Sequence, residues 1–176
     1  MSKFDRYIGI DPGTGGGIAQ IGSDNHVTAV KMPANVDDMH SYFTYLKDIS
    51  ESPIACVERV NLWRTDHADG RQFGIEKLTR NLNQVTTVLR IVKIPFIQVF
   101  PVQWMSYLSL REKGEDKAER KRRFKEIAQT RFPNITPTLN TADAILLMLF
   151  IAFKCQREPE WVLGKLPESV VKSLDL

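Results

Sequence analysis

The stretch from Pro53 to Phe100 constrains this chain most. Pro53 to Val60 (PIACVERV) is a short apolar run, and Ile94 to Phe100 is another. Between them, Gln72 to Val92 places Phe73, Ile75, Leu78, Leu82, Val85, Val88 and Leu89 in one helical stripe. Short β-branched runs read as strands and a stripe of period 3.6 reads as a helix. A strand, a helix and a second strand in that order form a crossover, so the two strands are expected to be parallel.

The rest of the chain builds on that unit. Phe4 to Asp11 (FDRYIGID), Gly15 to Ile21 and His26 to Met32 read as three strands joined by tight turns, the first ending in Asp11-Pro12-Gly13. Val36, Met39, Phe43, Leu46 and Ile49 mark a helix with Asn35 as its cap and Pro53 beyond its end. After Pro101 the pattern is helical: a short apolar stretch to Leu110, a basic segment to Arg131, and a last helix starting near Asn140. The expected architecture is α/β, a mixed five-stranded sheet with helices on both faces. One domain over residues 1–158 accounts for it and leaves 159–176 as an unassigned tail.

With 43% hydrophobic and 26% charged residues the balance is that of an ordinary globular chain. The longest apolar run, Ala144 to Phe153, is about half of the ~20 residues a membrane span needs. Lys3, Asp5 and Arg6 precede a strand rather than the apolar core of a signal peptide, so a cytoplasmic location is expected. Cys56 and Cys155 lie in apolar runs without a CxxC neighbour and read as core thiols. The net charge of +3 is too mild to identify a partner by itself.

Three carboxylates carry the chemical argument, and each has a local alternative. Asp11 before Pro-Gly is a favoured turn starter. Glu58 ends a buried strand, where it needs a cation or a salt bridge, with Arg59 or Arg64 at hand. Asp143 follows Asn140 and Thr141, either of which can cap the last helix, and would face that helix's positive end. As a set, however, they fall at the ends of a first strand, a later parallel strand and a C-terminal helix of one small sheet.

Ile8-Gly9-Ile10-Asp11-Pro12-Gly13, then Cys56-Val57-Glu58, then Ala142-Asp143-Ala144 leading into an apolar helix: in order, spacing and context this chain resembles the RuvC-type Holliday-junction resolvases over about residues 7 to 153. The resemblance implies a ribonuclease H-like fold with the sheet in the order 3-2-1-4-5. It also implies a crossover-junction endodeoxyribonuclease that cuts branched DNA, with Asp11, Glu58 and Asp143 as catalytic metal ligands. Crowded carboxylates need cations to stay charged, and hard oxygen donors favour Mg²⁺, or Mn²⁺ as a substitute, over zinc. Two ions about 4 Å apart would serve phosphodiester hydrolysis, with Asp11 bridging them. A fourth ligand in the family sits three residues before the last aspartate, and here that residue is Asn140, a neutral donor that is equally suited to capping.

The run from Lys117 to Lys125 holds Lys117, Arg120, Lys121, Arg122, Arg123 and Lys125. Alone it would be a solvated face; the resemblance makes Lys117 and Lys121, with Arg120, phosphate contacts. Trp63, flanked by Arg64 and His67 in the loop after Glu58, is a base-stacking candidate. The nearby Asp66-His67-Ala68-Asp69 looks like a metal cluster but has no helix to align it. The Gln72 to Val92 helix carries more apolar residues than one core face requires, which suggests a partner, and the resemblance makes that a homodimer. Three other readings stay open at this point. Asp11-Pro12-Gly13-Thr14-Gly15-Gly16 is similar to the phosphate loop of actin-like ATPases, the chain can be a non-catalytic DNA-binding module, and the same chemistry can serve forks, flaps or RNA–DNA hybrids.

Overall fold

The computed structural model describes residues 3–59 and 72–174, without the side chains of residues 72–75. Trp63, Arg64 and the Asp66-His67-Ala68-Asp69 cluster lie outside the described residues. The sheet comprises β1 (Arg6–Asp11), β2 (Gly17–Gly22), β3 (Val27–Lys31), β4 (Pro53–Glu58) and β5 (Phe96–Val99). Its order is β3-β2-β1-β4-β5, with β1 antiparallel to β2 and parallel to β4, and β4 parallel to β5. That is the order the resemblance implies, and the crossover through α2 (Gln72–Ile91) delivers the expected parallel pair.

Side chains alternate across a strand, and β1 shows it. Tyr7 belongs to the core on one face, while Ile8 and Ile10 belong to the core on the other. The second core is closed by α1 (Val36–Asp48), through Met39, Phe43 and Leu46, and by α2, through Val85, Val88 and Leu89. Asn35 caps α1 as expected, its side chain accepting from the Asp38 amide at 2.8 Å. Phe43 is fully buried, and truncating it to Ala should cost roughly 3–5 kcal/mol.

The first face is covered by α5 (Ala142–Arg157), with α3 (Pro101–Tyr107) and α4 (Lys117–Arg131) packed against it. Helix α5 is apolar nearly all round, as a helix sandwiched between a sheet and another helix must be. It crosses β1 at Gly9. A Cβ there would fall onto the Ala144 carbonyl oxygen and the Met148 amide nitrogen, so only glycine lets the helix settle this close to the strand. Residues 159–174 form α6 (Pro159–Leu163) and α7 (Glu168–Leu174), and Val162 and Leu166 are buried in the same core. Cys56 and Cys155 are both free and buried. Among the described residues no helix is long and apolar enough to cross a membrane.

One expectation needs correcting. Among the residues of α2 whose side chains are described, the apolar surplus does not form an outer face: Val85, Val88 and Leu89 are buried, and Leu82 and Val92 pack against the same core. These five residues lie on one broad stripe that packs beside α1 in the core on this face of the sheet. Among the described side chains of the helix the exposed ones include Glu76, Arg80, Asn83, Thr87 and Arg90, with Ile91 as the exposed apolar exception.

Candidate active site

The β1–β4 register aligns Ile10 with Val57, so the next step along both strands brings Asp11 and Glu58 side by side at their C-terminal ends. Ile10 and Val57 face the α1/α2 core; alternation therefore turns both carboxylates toward α5. There Asp143 stands in the first turn of the helix. Asp11, Glu58 and Asp143 line one cleft of about 490 Å³ together with Lys117, Arg120 and Lys121. The chain thus brings together the three carboxylates and the three cations that the sequence singled out.

Each carboxylate is held differently. Trp104, 1% exposed, donates its indole N–H to Glu58 Oε2 at 2.7 Å. The salt bridge to Arg59 considered as an alternative is not formed; that guanidinium stacks on the Phe100 ring at 4.8 Å. Lys121 Nζ lies 3.8 Å from Asp143 Oδ2, whereas Asp143 Oδ1 is buried without a hydrogen-bond partner. Such an orphaned oxygen is costly unless something else satisfies it.

Burial is the main force on all three titrations. It pushes Glu58 up to about 7, with the charge of Asp143 adding to the rise, against the Trp104 hydrogen bond and the fields of Arg120 and Lys121. Asp11 is raised well above its ordinary value, first by burial and then by the charges of Glu58 and Asp143. Asp143 is raised by burial while Lys121, Arg120 and Lys117 pull it back. Neighbouring carboxylates that resist ionisation are a pattern found at many functional sites.

The flanking parts explain how the cleft keeps its shape. Gly13 turns the chain after β1 with φ +117, a region glycine occupies freely. Its amide donates to Asn81 Oδ1 at 2.7 Å, so a buried polar residue of α2 clamps the turn. Helix α4 begins at Lys117 because Asp116 and Glu119 form a reciprocal capping box, which sets Lys117, Arg120 and Lys121 on the cleft side. Arg123 instead pairs with Glu115 at 2.6 Å. Asn140 is half-buried, one residue before the cap position Thr141, and is not among the residues lining the cleft; Thr141 itself makes no side-chain capping bond.

The sequence reading missed Asn81 and the contact between Trp104 and Glu58. Asn81 left a trace, as an amide interrupting the apolar stripe of α2 just before Leu82. The Trp104 contact spans 46 residues and left none.

Hard oxygen donors and an orphaned carboxylate oxygen fit a divalent cation of the Mg²⁺ type. Among the described residues, though, no group of three His, Cys, Asp or Glu closes into a ready-made ligand shell.

No family model and no curated protein sequence matches this chain. Solved structures do. A Thermus thermophilus RuvC in complex with a Holliday junction substrate shares 17% identity at a TM-score of 0.59, covering 87% of this chain and 96% of that one. A second Thermus thermophilus RuvC structure shares 17% identity at a TM-score of 0.55, covering 92% and 98%. The chain has the RuvC fold, the ribonuclease H-like architecture its sequence led us to expect.

Proposed function

We propose that this RuvC-fold chain is a divalent-metal-dependent endonuclease that cuts branched DNA, four-way junctions above all. The observation that carries the proposal is the convergence of Asp11, Glu58 and Asp143 in one cleft edged by Lys117, Arg120 and Lys121. Supporting it are the orphaned Asp143 Oδ1 and the fold shared with a RuvC solved on a Holliday junction substrate.

In this reading Asp11, Glu58 and Asp143 hold Mg²⁺, or Mn²⁺ in its place, with two ions per site. When bound, such ions activate water and stabilise the leaving 3′ oxygen of a phosphodiester. Trp104 fixes Oε2 of the Glu58 carboxylate and leaves Oε1 for a cation, and the Gly13–Asn81 clamp holds the turn behind Asp11. Lys117, Arg120 and Lys121 receive the backbone phosphates. With a cation held by Asp143, Lys121 would be free to turn from that carboxylate to a phosphate. Asn140 is a neutral candidate for a further ligand, and Trp63 and Arg64 are candidates for contact with unpaired bases.

A homodimer belongs to the proposal on the symmetry of the substrate, since a four-way junction presents two strands to cut. The exposed face of α2 is not its basis.

The experiment is a cleavage assay on matched four-way, three-way, flap, linear and RNA–DNA hybrid substrates with Mg²⁺, alongside binding in Ca²⁺. Preferential cutting of the four-way junction supports the proposal. Equal cutting of linear DNA would replace it with a general nuclease, and binding without cutting would make the chain a DNA-binding module.

A further inference from the structure

The outer edge of the sheet carries a second surface with its own chemistry. Strand β5 is the last strand of the sheet, and among the described residues none pairs with its outer side. The Ala55 amide donates to the Pro95 carbonyl at 2.9 Å and the Arg59 amide to the Val99 carbonyl at 2.7 Å. Residues 95, 97 and 99 therefore turn their polar groups toward β4. The alternation of a parallel ladder leaves the N–H and C=O groups of Phe96 and Gln98 facing outward.

That edge opens on a groove of about 1040 Å³, bounded by the end of α2 on one side and by α7 on the other. Lys47, Arg59, Arg90, Lys93 and Lys165 line it, and Glu51 is the one acidic residue that does. None of these five cations takes part in a salt bridge among the described residues. Lysines on an edge strand commonly guard it against unwanted pairing. Here the strand itself, Phe96-Ile97-Gln98-Val99, is uncharged. The cations stand on the walls around it, an arrangement that attracts a polyanion instead of blocking the ladder.

We propose that the β5 edge is a docking groove for an extended acidic peptide of a partner protein, which adds as a further strand beside β5. Strand addition uses main-chain bonds for affinity and flanking pockets for specificity. The exposed edge offers both donors and acceptors. A peptide satisfies both, whereas a DNA phosphate, which only accepts, would meet the carbonyls of Phe96 and Gln98. The partly exposed apolar lining, Pro95, Phe96 and Val170, suits alternate side chains of a strand. The acidic residues of the peptide then meet the basic walls.

The test uses the full-length protein and a fluorescein-labelled octapeptide alternating aspartate with isoleucine or phenylalanine. Its controls are the same peptide with lysine for aspartate and a single-stranded oligodeoxynucleotide. We expect the acidic peptide to bind, the lysine peptide to bind at least tenfold more weakly, and the backbone amides of Phe96 and Gln98 to shift in NMR spectra. Gln98→Pro removes one outward N–H at an edge where proline is tolerated, and should weaken binding about fivefold. Lys165→Glu leaves the backbone intact and should weaken binding severalfold at low salt. Neither residue lies in the active-site cleft, so both variants should cut DNA as the wild type does, which separates this inference from the nuclease proposal. Absence of peptide binding up to about 1 mM, or binding indifferent to both variants, overturns it. So does an oligonucleotide that shifts the Phe96 and Gln98 amides when the peptide does not, an outcome that would make the groove a DNA track.

Discussion

Glu58 makes an unusual prediction about stability and pH. Burial lifts its carboxyl from an ordinary 4.5 to about 7 in the fold. A carboxyl that holds its proton more tightly when folded stabilises the fold below its unfolded pKa, and that contribution is lost as pH rises through the folded value. The window is therefore pH 4.5 to about 7. At about 1.4 kcal/mol per unit, the loss across it is about 3 kcal/mol, most of which falls between pH 5 and pH 8. Asp11 and Asp143, also raised, act in the same direction.

The perturbation is Glu58→Gln, which keeps the acceptor for Trp104 and removes the charge. Urea unfolding in EDTA should show the wild type losing roughly 2–3 kcal/mol from pH 5 to pH 8, and the variant losing distinctly less. In a chain of this length the wild-type loss amounts to roughly 4–12 °C in melting temperature. Adding Mg²⁺ at pH 8 should restore stability to the wild type more than to the variant, because binding to the folded state alone stabilises it. Wild-type stability that is flat or rises over this range in EDTA would refute the argument that the site stores unfavourable charge.

Gly9→Ala should fold poorly or not at all, since the new Cβ lands on the backbone of α5; thermal unfolding would reveal it, and a melting point within 2–3 °C of wild type would disprove the close approach. Asn140→Asp should lower the Mg²⁺ concentration needed for half-maximal cutting if Asn140 reaches the metals, and an unchanged metal titration would remove it from the ligand set.

Much of this site was legible in the sequence because its positions are fixed locally. Glu58 follows an apolar run that can only be a buried strand, Asp11 precedes the turn that ends β1, and Lys117 begins a helix announced by Asp116 and Glu119. The crossover alone requires β4 and β5 to be parallel, while the full strand order came from the resemblance. What escaped were consequences of packing between distant segments. Trp104 meets Glu58 only because α3 folds back beneath β4, and Asn81 meets Gly13 only because α2 lies behind the turn. The described part of the apolar surplus of α2 was misjudged for the same reason: Leu82, Val85, Val88, Leu89 and Val92 all pack into the core that α1 shares, without any partner chain.

The most direct test of the central claim is single-turnover cutting of an immobile four-way junction in Mg²⁺ by Asp11→Asn, Glu58→Gln and Asp143→Asn, with binding measured in parallel. Each substitution removes one charge from the ligand set, and a metal-stabilised charge is worth several kcal/mol. The account predicts a fall in rate of roughly a thousandfold or more for each variant with junction affinity retained. Cutting by any one of the three at near wild-type rate would contradict it.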